Sequence, residues 1–280
     1  FHDFFYKNVE DHDFTTVTDE PNPKPPFTKT HRVHIPIRKL LANPKYFPSV
    51  ERGDVSVRLI YDNPLIDRDP RTKKHYSKFF RTLSYLSKKA RQTLWISTPY
   101  LTFDRELMAL FQEAAKRVDV RILTNSLETT DRGTGYYKSQ ISHYPAMLKA
   151  GIRVFEWKGH TDLYKVNHEC PISYWPGQML HSKLVVVDGA VSMVGSNNIN
   201  RRSKLLNNEV MVLMNDEAMS ARVSKIFETA FAGEVQQLQC RDGSRRSLPV
   251  VEEMTKEKVD QLSRKLGVKE PDWNYSFGGL

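Results

Sequence analysis

The chain has 280 residues, 39% of them hydrophobic, and carries 42 Lys and Arg against 33 Asp and Glu, a formal charge of +9. That length makes one large or two small domains with a proper core, and the charge points to anionic partners, nucleic acid or an acidic lipid surface, without choosing between them. Cys170 and Cys240 stand too far apart for a disulfide framework or a Cys-x-x-Cys site, and no apolar run reaches the roughly eighteen residues of a membrane span.

Residues 1–53 are punctuated by Pro21, Pro23, Pro25, Pro26 and Pro36 and read as an extended connector. Lys24, Lys29, His31, Arg32, His34, Arg38 and Lys39 make the same stretch either a solvated linker or a polybasic strip facing anionic lipid. A start at Phe1 rather than Met leads us to expect a removed upstream portion. Residues 54–280 are read as a second, regular domain. VSVRLIY is a predicted strand, and Tyr76, Phe79, Phe80, Leu83, Leu86 and Ala90 recur at helical spacing. The strand LWIST precedes a helix facing inward with Leu107, Leu110, Phe111, Ala114 and Val118. VRILT, a helix ending at Gly151, and IRVFEW follow. After the strand EVMVLM comes a helix carrying Met219, Val223, Ile226 and Phe227. A last helix is expected to carry Val251, Met254, Val259, Leu262 and Leu266 and to stop at Gly267. This alternation predicts an α/β fold, a mixed sheet sandwiched by helices.

The chemistry concentrates between His181 and Glu209. LVVVD and VSMVG are β-branched runs around Asp188-Gly189, which predicts a tight hairpin. Period-two alternation puts His181 and Lys183 on one face and Asp188 on the other, where it braces the turn. The returning leg brings Gly195, Ser196 and Asn198 back toward His181. An imidazole beside a cation and neutral donors suits attack on phosphorus: His181 handles charge or protons near neutral pH, while Lys183, Ser196 and Asn198 offset charge on phosphoryl oxygens. A buried hairpin with a satisfied core histidine is the bland alternative.

His181, Lys183, Asp188, Gly195, Ser196 and Asn198, at these spacings, resemble the HKD signature of the phospholipase D superfamily. The continuation Asn200-Arg201-Arg202-Ser203 and Asn207-Asn208-Glu209 looks like the tail of its bacterial cardiolipin synthase-like members, where a carboxylate at the Glu209 position orients the catalytic imidazole. The strand ends are similar to theirs too, reading TPY, TNSL…D and AG-x-x-V-x-E, which makes Tyr100, Asn125 and Glu156, with Arg201, Arg202 and Ser203, candidate substrate contacts. The chain departs from the family at Pro145, where a basic residue is usual, and in a longer loop between Trp157 and His181. In that loop Tyr164, Tyr174, Trp175 and Pro176 could pack over the site or sit at a membrane interface.

The resemblance implies a cofactor-free, metal-free exchange through a covalent phosphohistidine, with one His as nucleophile and another as acid, His181 being assigned the acid and base part. A zinc set of His160, His168, Cys170 and His181 matches no usual spacing. Because the family uses two signatures and this chain has one, the expected partner is a second half, either an N-terminal half of the same protein or a second copy. Three functions stay open: a phospholipid phosphodiesterase or phosphatidyl transferase, a nuclease, or a catalytically incomplete lipid-binding half. The first implies an anionic phospholipid surface and a peripheral membrane location in a bacterium, with a secreted effector as a variant. Nucleic acid is the second choice of partner.

Overall fold

The strands form where β-branched and aromatic residues alternate. They are β1 (Ser56–Tyr61), β2 (Thr93–Ser97), β3 (Asp119–Asn125), β4 (Arg153–Trp157), β5 (Leu184–Val187), β6 (Val191–Gly195), β7 (Val210–Asn215), β8 (Val235–Gln239), β9 (Arg245–Pro249) and β10 (Val251–Glu253). This computed structural model describes residues 56–62, 77–159, 179–232, 235–239 and 245–271. Those residues all belong to a unit running from Val55 to Leu280. The proposed connector, the polybasic strip, the three other members of the zinc set and the aromatic loop residues lie outside the described residues.

Eight strands make one sheet in the order β1-β7-β6-β5-β2-β3-β4-β10, and β8 pairs with β9 separately. β2, β3 and β4 run parallel, while the other neighbours are antiparallel, so the sheet is mixed. Parallel neighbours need crossovers, and helices supply them. α2 (Arg105–Ala115) links β2 to β3, and α3 (Gly133–Ser142) with α4 (Tyr144–Lys149) links β3 to β4. The predicted hairpin is present: Asp188 and Gly189 have φ of 53° and 63°, the pair of left-handed residues that a two-residue turn of this twist requires.

Alternation along each strand feeds two cores. Leu94, Ile96, Val120, Ile122, Val154, Val185 and Val187 pack with α1 (Lys78–Lys89), α2, α3, α4 and α7 (Lys256–Leu266). Their neighbours Leu123, Phe155 and Val186 turn to the opposite face and meet Val223 and Phe227 of α6 (Glu217–Phe231). Helices therefore cover both faces, as the sequence predicts. Truncating a fully buried member such as Phe111 would cost about 3–5 kcal/mol. Side chains cap the helix starts: Ser77, Asp104, Asp216 and Thr255 each accept from a backbone N–H three residues on.

Two expectations are corrected. The single helix ending at Gly151 is two helices, because Pro145 lies in the first turn of α4, where its missing N–H is harmless, and cannot extend α3. Val251 belongs to β10, where it pairs with Trp157 of β4. The last helix begins only after Thr255, whose hydroxyl accepts from the Lys258 N–H, and ends at Gly267, which has φ of 62°.

Candidate functional site

β5, β6 and β7 bring the signature together at one end of the sheet. Gly195 ends β6 because the strands close tightly there: a Cβ on it would lie 2.1 Å from the Val210 carbonyl oxygen. The next residue, Ser196, donates from Oγ to Glu209 Oε2 at 2.6 Å and accepts from the Val210 N–H at 3.0 Å. Ser203 Oγ donates to the other carboxylate oxygen at 2.7 Å, and Asn207 Nδ2 does so at 3.0 Å. The Asn198 N–H donates to Ser203 Oγ at 3.3 Å, which ties the signature's last residue to the same carboxylate.

Lys183 is buried, and its Nζ donates to the His181 carbonyl at 2.8 Å. Burial holds its pKa below the ordinary lysine value, against the pull of Glu209. The His181 side chain is exposed, and its pKa is held down by partial burial and by Lys183, with Asp131 acting in the opposite direction. The first two effects favour the neutral imidazole, which makes the protonated ring a readier proton donor than a free imidazolium. The site thus has a solvent-facing imidazole two residues from a buried lysine whose ammonium bonds the His181 carbonyl, and a serine, Ser196, bonded to the buried Glu209.

Asn125 and Tyr100 prepare this arrangement from the ends of β3 and β2. Asn125 is fully buried and bonds both main-chain groups of Leu180, the residue before His181: the Leu180 N–H donates to Oδ1 at 2.8 Å, and Nδ2 donates to the Leu180 carbonyl at 3.0 Å. Nδ2 also donates to the Pro99 carbonyl at 3.1 Å. The Tyr100 ring stands edge-on to the His181 ring, their centres 6.4 Å apart, and its hydroxyl donates to Asp131 at 2.9 Å.

Several expectations change. Asp188, a member of the signature, lies at the far end of β5, where its carboxylate accepts from the N–H groups of Arg91, Gln92 and Thr93. It braces the turn, as the alternation implied, and stands apart from the cluster. Glu156 is fully buried and accepts from the Tyr137 and Tyr144 hydroxyls, both at 2.9 Å. Burial raises its pKa to about 7, and this carboxyl belongs to the core rather than to a substrate surface. Asn125 and Ser203 hold the protein's own groups. Arg201 and Arg202 open the short helix α5 (Arg201–Leu205) beside the cluster, and Arg202 donates to Asn207 at 3.2 Å. Glu209, which the resemblance has orienting the imidazole, takes its side-chain bonds from Ser196, Ser203 and Asn207.

Sequence reasoning passed over two residues, Arg132 and Asn197, and gave no role to a third, Asp131, the acid of TNSL…D. Asp131 and Arg132 follow β3, and Arg132 lies over the Tyr100 ring at 5.2 Å; the run from Asn125 to Asp131 was the available signal. Asn197, between two signature residues, is buried with both side-chain amide atoms unpartnered. Among the described residues no group of His, Cys, Asp and Glu forms a metal-binding set.

Residues 83–231 match the family described as cardiolipin synthase, PLD-like domain. Cardiolipin synthase A of Pseudomonas aeruginosa is 36% identical over 144 residues, covering 51% of this chain and 25% of that protein. Cardiolipin synthase 2 of Bacillus cereus is 33% identical over 129 residues, covering 45% of this chain and 21% of that protein. Among solved structures, phosphatidylserine synthase of Haemophilus influenzae superposes with a TM-score of 0.47 at 18% identity, over 76% of this chain and 45% of that one. The matched region spans about a quarter of the length of these cardiolipin synthases.

Proposed function

Since the chain belongs to the cardiolipin synthase, PLD-like domain family, we propose that it forms one half of the active site of a phospholipid phosphodiesterase or phosphatidyl transferase. The observation that carries the reading is the solvent-facing His181 whose carbonyl takes the Nζ of buried Lys183, with Ser196 held by Glu209. In this reading a histidine of a second signature attacks the phosphodiester phosphorus. The bond to the leaving alcohol breaks, and His181 hands that alkoxide its proton. An incoming hydroxyl, from water or a second lipid, then gives its proton back to His181 and displaces the phosphohistidine, which restores both imidazoles. Lys183, with Asn198 and Ser196, offsets the charge that builds on the non-bridging oxygens.

The second signature comes from another half, either elsewhere in a longer protein or in a second copy. The substrate is an anionic phospholipid met at a membrane surface, with which +9 is compatible. Among the described residues no helix is long and apolar enough to cross a membrane, so the reading gives the domain a peripheral place in a bacterial cell. No residue or relative argues for secretion.

The test is thin-layer separation of products from vesicles of labelled phosphatidylglycerol, with wild-type and H181A chains and with mixtures of the two. If two copies make one site, we expect phosphatidyl transfer or hydrolysis by wild-type chains that falls as the share of H181A rises; if the second half lies in a longer protein, we expect that protein to show turnover that its H181A form lacks. Cleavage of DNA or RNA with no lipid product would overturn the reading in favour of a nuclease.

A further inference from the structure

The inward side of α1 is spent on the core: Phe79, Phe80 and Leu83 are buried on the sheet face opposite the one that α6 covers. Its outward side is a stripe of one sign. Arg81, Tyr85, Lys88 and Lys89 stand at i, i+4, i+7 and i+8, all exposed, and exposed Arg91 follows the helix end. The helix KFFRTLSYLSKK contains no Asp or Glu, and among the described residues none of these four cations is paired with a carboxylate. The acids that follow in sequence have other partners: Asp104 and Glu106 meet Lys204 at 2.8 and 2.6 Å, and Glu113 meets Lys116 at 2.6 Å. Asp188, at the far end of the helix, accepts the backbone N–H groups of Arg91, Gln92 and Thr93. In the middle of the stripe the Tyr85 ring is 61% exposed, with the Lys89 ammonium 5.9 Å from its centre.

We propose that this side of α1 is the surface on which the domain lies against an anionic lipid bilayer, with Arg81, Lys88, Lys89 and Arg91 meeting headgroup phosphates and Tyr85 seated among the headgroups. The proposal rests on the reading of the substrate as a phospholipid and names the surface that meets it. Cations near an anionic leaflet are drawn to it, and an amphipathic ring is at home at headgroup level. A strand of nucleic acid asks instead for successive stacking rings along a groove, and α1 offers one ring on a convex helix. The stripe also starts beside the site. Asp62, whose N–H donates to the Glu209 carbonyl at 3.1 Å, accepts the Lys78 N–H at 2.8 Å and the Ser77 hydroxyl at 3.2 Å, which fixes the first turn of α1 to the residue that holds Ser196. From there the helix runs roughly 18 Å, so a bilayer laid along it passes close to the end of the sheet where His181 stands.

The test is co-sedimentation of the 280-residue chain with vesicles of phosphatidylglycerol and phosphatidylcholine, against vesicles of phosphatidylcholine alone, over a range of salt. Wild type should bind the anionic vesicles and leave them as salt rises. R81Q/K88Q should weaken binding about 25-fold, about fivefold for each cation removed from the surface. R222Q/K225Q, which takes the same charge from the exposed side of α6, should stay within about twofold. R81K/K88R should bind as wild type does, and Y85S should weaken binding without changing its salt dependence, since it removes a contact and no charge. Equal losses in R81Q/K88Q and R222Q/K225Q would reduce the effect to net charge and overturn the proposal. So would wild type that sediments alike with both kinds of vesicle, or a stripe that binds a DNA duplex and no vesicle. Binding is read without turnover. If the variants bind vesicles as expected while paired copies or a longer protein release only nucleotide products, the surface stands and the phosphatidyl transfer reading falls.

Discussion

Asp188 is the signature residue whose chemistry and placement part company, and replacing it separates fold from catalysis. Its carboxylate accepts the N–H groups of Arg91, Gln92 and Thr93 at 2.8–3.1 Å, joining the end of β5 to the start of β2. Removing it in D188A deprives three backbone donors of their partner, at about 1 kcal/mol each where water can partly replace it. Alanine at a φ of 53° adds about another 1 kcal/mol. A total of about 3–4 kcal/mol in a domain of this size lowers Tm by roughly 6–15 °C. D188N keeps the oxygen that takes three of the four contacts and tolerates the left-handed backbone, so it should lose about 1 kcal/mol. Seven residues of extended chain, roughly 20 Å, separate Asp188 from His181, so kcat of folded D188A at low temperature should stay within twofold of wild type. Thermal unfolding followed by circular dichroism, with turnover measured below the transition, checks both halves. A fully folded D188A chain that had lost tenfold or more in kcat would refute the reasoning and return Asp188 to the chemistry.

Glu156 makes stability depend on pH. Burial raises its folded pKa to about 7 from an ordinary 4.5, so its contribution is complete below about 4.5 and is lost as pH rises through about 7, a change of about 3 kcal/mol. E156Q, whose amide oxygen can still accept from Tyr137 and Tyr144, should flatten the difference in Tm between pH 5 and pH 8; an unchanged difference would count against that assignment. In G195A the added Cβ meets backbone that cannot yield, the Val210 oxygen at 2.1 Å and the Met211 Cα at 2.7 Å. The variant should lose about 1–3 kcal/mol by chemical denaturation, together with most activity as Ser196 shifts from Glu209. Activity should also survive EDTA, since buried Lys183 supplies the cationic charge in this scheme; inhibition reversed by added metal would contradict it.

The sequence displayed whatever is encoded by short-range periodicity. Asp188-Gly189 between β-branched runs announced the hairpin, and the hairpin dictated that Ser196 return toward Lys183. The meeting of Ser196 with Glu209 followed in turn, because β7 pairs with β6. Burial was harder to read. Glu156 ends in a VFEW strand whose neighbours alternate normally, and nothing local reveals that Tyr137 and Tyr144, two helices away in sequence, close over it. Val251 has helical spacing to Met254 and Val259, yet pairing with Trp157 outweighs that weak periodicity. Asp131, the acid of TNSL…D, had no legible partner for the same reason, since the Tyr100 hydroxyl that bonds it arrives from another strand. Asn125 was read as a substrate contact and in the structure bonds the Leu180 backbone, because an amide at a strand end serves a ligand or a neighbouring backbone equally well.

That amide has an evolutionary consequence. By bonding both the N–H and the carbonyl of Leu180, Asn125 gives the residue before His181 the two bonds a sheet neighbour would supply. The imidazole is thereby registered to β3, whatever the wording of the chain that leads into it. Variation in the chain between Trp157 and His181, where this sequence is longer than the pattern it resembles, therefore reaches His181 only through a residue anchored to the sheet on both of its main-chain groups.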